Sequence, residues 1–234
     1  MAIPNYNPYQ TDLLTNGFNY LIANLPGSPT VNDLNTTILA YFTSLPNPVS
    51  SEALSIMQNT NIYSINNYIN QTIAVNLNYG GAASAFIETV LSGIKENTTD
   101  SLTDYLLSAQ ELLAAADINT ASKEALYVAL TNAQGSCAYW QTTVATPGSW
   151  AAYLHSNEAV NYANIPTWVI AAFTAVLSGY AQVQAVAISE PNVFNTQGRQ
   201  VSAFMGYGSA LAVTAGKVIF KWPQKPVINC GCLQ

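Results

Sequence analysis

Charge is what this sequence has least of. Asp, Glu, Lys and Arg make up 8% of its 234 residues, where a soluble domain ordinarily carries about 25%. Six basic residues are too few for a surface that tracks phosphates, which excludes nucleic acid as a partner. Histidine occurs once, at position 155, so the paired histidine ligands of a carboxylate-bridged bundle site are missing. There are three cysteines, an odd number that rules out a fully paired disulfide framework. Zinc motifs, phosphate loops and Gly-x-Ser-x-Gly elbows are absent, and Gly206-Tyr-Gly-Ser209 has the wrong spacing. No metal or cofactor is expected. No strand signal competes with the helical patterns, except in the short stretch Val227-Ile228.

What remains is apolar or neutral and hydrogen-bonding. Half of the residues are hydrophobic, which excludes a disordered chain. Asn, Gln, Ser and Thr supply about a third of the residues, and there are 14 tyrosines. All twelve acidic residues lie at or before Glu190, while Arg199, Lys217, Lys221 and Lys225 follow it. An acidic body with a basic last helix docked on it is the simplest reading, with the lysines favoured by the helix dipole. Contact of that segment with a neighbouring subunit or an anionic membrane is the alternative. The first ten residues have no basic or long apolar run, so no signal peptide is expected.

Helical periodicity runs through the chain. Leu13, Leu14, Phe18, Leu21, Ile22 and Leu25 form one stripe, closed by Pro26-Gly27. Thr30 with Asp33 has capping-box spacing and opens a second stripe of Leu34, Ile38, Tyr41, Phe42 and Leu45. A third helix is expected from Ser50 or Ser51 to about Leu77, with a break near residues 59–61 because Asn is a poor helix former. Short and long helices follow over 82–95, 99–116 and from Asn119 or Thr120, the last with Leu126, Leu130, Ala133, Cys137 and Trp140 inward. The 99–116 stripe reads Leu102, Tyr105, Leu106, Ala109, Leu112 and Leu113. Another short helix is expected from Trp150 to about Tyr162.

The last third is different in kind. Residues 168–188 are almost continuously apolar, and a second long segment runs over 196–222. Ala171, Ala175 and Gly179 in the first, and Gly208, Ala212 and Gly216 in the second, are small residues four apart that let helix backbones approach. The fold class predicted is an all-α bundle of about eight helices with a buried C-terminal antiparallel hairpin. It is read as a single domain over 1–234, divisible into N-terminal helices 1–146, a hairpin region 147–226 and a tail 227–234. The 168–188 run also has membrane-spanning length, and a membrane-active hairpin over 167–222 is the second functional reading.

His155, Glu158 and Tyr162 are the one constellation with catalytic residue types. On a helix they would share a face, where a carboxylate could raise the imidazole pKa. A ligand-binding or catalytic bundle around them is the third reading. Cys137 is expected to be a buried small hydrophobe. Cys230 and Cys232 could bridge subunits or bind metal, but an unstructured tail is the simpler expectation. The first reading rests on the coat. Side chains that hydrogen-bond without charge suit a surface covered by copies of itself, because desolvating charges is costly. Tyrosines, enriched at interfaces, point the same way. The expectation is a non-enzymatic, self-assembling structural subunit of a filament, sheath, surface layer or particle, homo-oligomeric and extracellular or particle-associated.

Overall fold

The computed structural model describes residues 7–46, 51, 54, 55, 58, 79, 81–146, 148–155, 162–189 and 198–220. Among them are eight α-helices and no strand: α1 (Asn7–Asn24), α2 (Val31–Thr43), α3 (Gly81–Glu96), α4 (Thr99–Ala115), α5 (Thr120–Ala145), α6 (Ser149–Tyr153), α7 (Ile165–Ser189) and α8 (Gly198–Phe220). A 3₁₀ turn, Tyr162–Asn164, leads into α7. The third helix expected over 50–77 lies mostly outside the described residues, as do Cys230, Cys232 and the Val227-Ile228 stretch.

Local chemistry sets several of the ends. The capping box forms: the Asp33 amide donates to Thr30 Oγ1 (3.2 Å), and the Thr30 amide donates to Asp33 Oδ2 (2.8 Å). Thr30 Oγ1 also donates to Asp33 Oδ2 (2.7 Å), and this bond, with that from the Thr30 amide, holds the Asp33 carboxyl below its usual pKa. Asn119 caps α5 by accepting from the Ser122 amide (2.9 Å), which satisfies a donor that the first turn leaves free. Thr146 and Gly148 separate α5 from α6. Pro166 falls in the first turn of α7, where its missing N–H costs nothing.

Two long helices make the centre. α5 has 26 residues, about 39 Å at 1.5 Å each. It packs on α7, α1 and α4, so it is buried on nearly every face. The pairing of α7 with α8 is the most extensive in the molecule, and residues 168–177 and 206–218 of the two are buried almost throughout. The expected hairpin is therefore the buried heart of the bundle. An all-round apolar helix needs cover on every side, and here α5, α3 and α8 supply it for α7. No helix of the described residues is long and apolar enough to cross a membrane.

Polar side chains inside these helices mostly bond to their own backbone. Thr131 Oγ1 donates to the Tyr127 carbonyl (2.8 Å), Thr174 Oγ1 to that of Ile170 (2.8 Å), and Asn132 Nδ2 to that of Val128 (3.1 Å). This i to i−4 bonding lets hydroxyls enter a core without a cross-helix partner. Tyrosines stitch elements together instead. Tyr41 donates to the Leu13 carbonyl (2.8 Å), Tyr79 to that of Leu177 (2.8 Å), and Tyr153 to that of Pro26 (2.7 Å).

Two expectations need correction. Leu112 is 61% exposed, not inward: at 100° per residue it lies about 80° round the helix from Leu102, off the arc of Leu102, Leu106, Ala109 and Leu113. Lys217 sits in the last turn of α8, near the dipole as expected, and is only 5% exposed. The short helix expected from Trp150 to about Tyr162 does not run unbroken, because α6 ends at Tyr153 and His155 takes φ +50°. That left-handed conformation cannot continue a right-handed helix.

Candidate functional site

The break after α6 decides the fate of the expected catalytic face. His155 stands exposed on the turn that ends α6. Glu158 lies outside the described residues. Tyr162 belongs to the 3₁₀ turn before α7, 44% exposed, and its carbonyl accepts from Thr99 Oγ1 (3.2 Å). Shared helical spacing, the only argument joining the three, does not apply to His155 and Tyr162. Among the described residues there is also no group of three or more His, Cys, Asp or Glu placed to hold a metal.

The most chemically distinctive region is an aromatic cluster where α1, α5, α6 and α7 meet. Trp140 is fully buried, its ring centroid 4.5 Å from Trp168, 5.0 Å from Tyr139, 5.2 Å from Phe18 and 5.9 Å from Trp150. Phe18 stacks on Tyr139 at 4.5 Å. Trp150 Nε1 donates to the Tyr139 hydroxyl (2.8 Å). Burial pushes the Tyr139 phenol up to about 12, a rise that hydrogen bonds with Trp150 and Thr143 partly oppose. At neutral pH it is a neutral hydrogen-bonding group and no base.

Outside this cluster lies an open groove of about 440 Å³, lined by Tyr139, Thr15, Asn19, Thr142, Thr143 and Ser149 among others. Among the described residues its lining offers hydroxyls and one amide and no charged group. Such a lining can donate to and accept from neutral polar groups. Among the described residues it holds no acid, base or nucleophile activated at neutral pH.

Two buried groups carry unusual chemistry elsewhere. Cys137 is fully buried, as expected, and burial raises its thiol pKa, opposed by a contact with Thr103. Such a thiol is unreactive. Burial lowers the Lys217 ammonium to about 7. Nothing in the sequence flags it, because a lysine in a last helical turn is normally at the surface.

The predicted packing residues Ala171, Ala175, Gly179, Gly208, Ala212 and Gly216 are all buried. α7 and α8 approach closely at Gly206, where an added Cβ would lie 2.9 Å from Val176 Cγ1 and 3.5 Å from Val176 Cα. Gly206 precedes Gly208 by two residues and so lies on another face of α8 than the stripe. α1 comes equally close to α8 at Gly17, with Leu211 Cδ1 2.8 Å from the position of a Cβ. Gly206→Leu is expected to cost about 1–3 kcal/mol by overpacking, read as a lower urea midpoint with unchanged helical circular dichroism at rest.

No family model, curated protein or solved structure matches this chain.

Proposed function

We propose that this protein is a non-enzymatic, self-assembling helical subunit, a building block of a filament, sheath, layer or particle. The observation that carries this reading is the outer surface of α1, α2 and the turn between them. Residues 13–46 contain one charged residue, Asp33, and its carboxylate is engaged by Thr30. The exposed positions there are Asn16, Asn19, Asn24, Ser28, Thr30, Asn32, Thr36, Thr43 and Ser44, with Ala23, Pro26, Gly27, Ala40 and Pro46 between them. Covering this surface with a second copy desolvates amides and hydroxyls that can re-pair across the contact, at far lower cost than desolvating ions. Apart from the exposed Tyr162, the described tyrosines do not add to this argument. Tyr41, Tyr79, Tyr139 and Tyr207 are buried within the fold, and Tyr20, Tyr105, Tyr127 and Tyr153 are half-buried.

Sedimentation of the purified protein at neutral pH over a range of concentrations tests the proposal. Species larger than the 25.0 kDa chain are expected, with little loss between 0.05 and roughly 1 M salt, since neutral contacts are not screened as ion pairs are. A 25.0 kDa species alone at high concentration overturns the reading. The double substitution Asn32→Lys with Thr36→Lys places two like charges one turn apart on the exposed face of α2. It is expected to reduce assembly at least about tenfold, equivalent to 1.4 kcal/mol per contact, with the melting temperature of the subunit nearly unchanged.

A further inference from the structure

The groove outside the aromatic cluster has two walls of small, neutral side chains. Thr15 and Asn19, one turn apart on α1, belong to one wall, and Ala138 and Thr142, one turn apart on α5, to the other. Asn19, Ala138 and Thr142 are exposed and Thr15 is half-buried. Thr142 Oγ1 already donates to the Ala138 carbonyl (3.0 Å), so toward a further partner it can only accept. The Asn19 amide can both donate and accept.

A second surface of the chain has a matching form. The outer side of α2 carries Asn32, Thr36 and Ala40 in a row four apart, continued by Ser44 at the C-cap, and all four are exposed. At 100° per residue this row lies about 160° round the helix from the buried Leu34, Ile38 and Phe42. We infer that this row seats in the α1–α5 groove of a second copy of the chain, and that the contact is head-to-tail. The inference rests on the assembly proposed above and names the two surfaces that make it.

Charge, shape and position select this occupant. The groove offers no charged group among the described residues, so an ionic partner face would lose its water there and find no counter-charge. That excludes α3, which exposes Glu88, Lys95 and Glu96, and α4, which exposes Asp100, Asp104 and Glu111. On α2 the one charge is Asp33, half-buried and bonded to Thr30. As for shape, side chains four apart form a ridge that packs into the furrow between rows of neighbouring helices. Asn, Thr, Ala and Ser are small enough to let such backbones come close. Position rules out the chain's own α2. Tyr41 donates to the Leu13 carbonyl (2.8 Å) and its ring meets Tyr20 at 5.4 Å, which fixes α2 on one flank of α1. Thr15 and Asn19 point about 160° and 120° round α1 from Leu13, toward the other flank. A contact between two unlike surfaces repeats from copy to copy, as a filament or ring requires, and does not close as a symmetric pair.

Sedimentation of the groove variant Asn19→Lys with Thr142→Lys tests this, beside the α2 variant Asn32→Lys with Thr36→Lys. All four side chains are exposed, so the circular dichroism and melting temperature of each variant should match those of the natural chain. Each variant alone is expected to assemble at least about tenfold less than the natural chain. Their equal mixture is expected to form a species of two chains and nothing larger, because one variant keeps an intact α2 and the other an intact groove. Natural assembly by the groove variant overturns the inference, leaves the proposal of assembly standing, and returns the groove to a small neutral ligand. A mixture that stays at the mass of one chain, or grows past two, overturns it as well. A natural chain that never exceeds 25.0 kDa overturns both.

Discussion

Replacing Lys217 by Met is expected to stabilise the protein by roughly 1–5 kcal/mol at pH 7 and below. The group is almost fully buried in the last turn of α8, and desolvation lowers its pKa from 10.5 to about 7. Each tenfold change in an acid constant corresponds to about 1.36 kcal/mol, so a lowering of this size sets the upper end of the range. The sign follows from proton binding. Between pH 7 and 10.5 the unfolded chain holds the lysine proton and the folded chain has released it, so stability rises with pH across that window. Below pH 7 both states hold it and the full cost is present. Urea midpoints measured from pH 6 to 9.5 should climb for the natural chain and stay flat for Lys217→Met. Above pH 10 both proteins should weaken, because burial raises the phenols of Tyr41 and Tyr139 to about 12. Their unfolded forms ionise first. A natural chain whose midpoint is flat from pH 7 to 9.5 would show that Lys217 keeps its proton when folded.

The second large effect is expected at the aromatic cluster. Trp140→Ala should cost about 3–5 kcal/mol, lowering the melting temperature by roughly 10 °C or more for a chain of this length. Trp140 is fully buried and packs on Phe18, Tyr139, Trp150 and Trp168, residues from four different helices. Its removal leaves a cavity that none of α1, α5, α6 or α7 can fill without moving against the others. Trp140→Phe should cost much less. It keeps a ring and deletes an indole N–H that has no partner among the described residues, and an unsatisfied buried donor is itself worth about 1–3 kcal/mol. Thermal unfolding followed by near-ultraviolet circular dichroism separates the two variants. Equal losses for Ala and Phe would mean that the indole is bonded after all.

Where the sequence is legible, period and punctuation agree. Phe18 with Leu21 and Leu25, Ile38 with Phe42, and Leu126 with Leu130, Cys137 and Trp140 all recur at helical spacing and all are buried. Thr30 and Asp33 mark a cap, and the cap forms. Where it misleads, a local rule meets a non-local fact. Leu112 reads as inward because it adjoins Leu113, but α5 and α3 cover only one side of α4. His155, Glu158 and Tyr162 read as a face because their spacing fits a helix. The left-handed φ at His155 ends that helix first, and a single His in a polar stretch gives no sign of it.

By itself the sequence determined that this chain would be helical, roughly where most described helices run, and that α2 and the turn before it would be almost free of charge. Those properties depend on residues within a few positions of one another. Only the tertiary structure decided that Lys217 is buried, that helices come close at Gly206 and Gly17, that four helices bring their aromatic rings together around Trp140, and that the exposed leucines gather on α4. Burial and close approach depend on which helix lies across from which, and residues distant along the chain set that arrangement together.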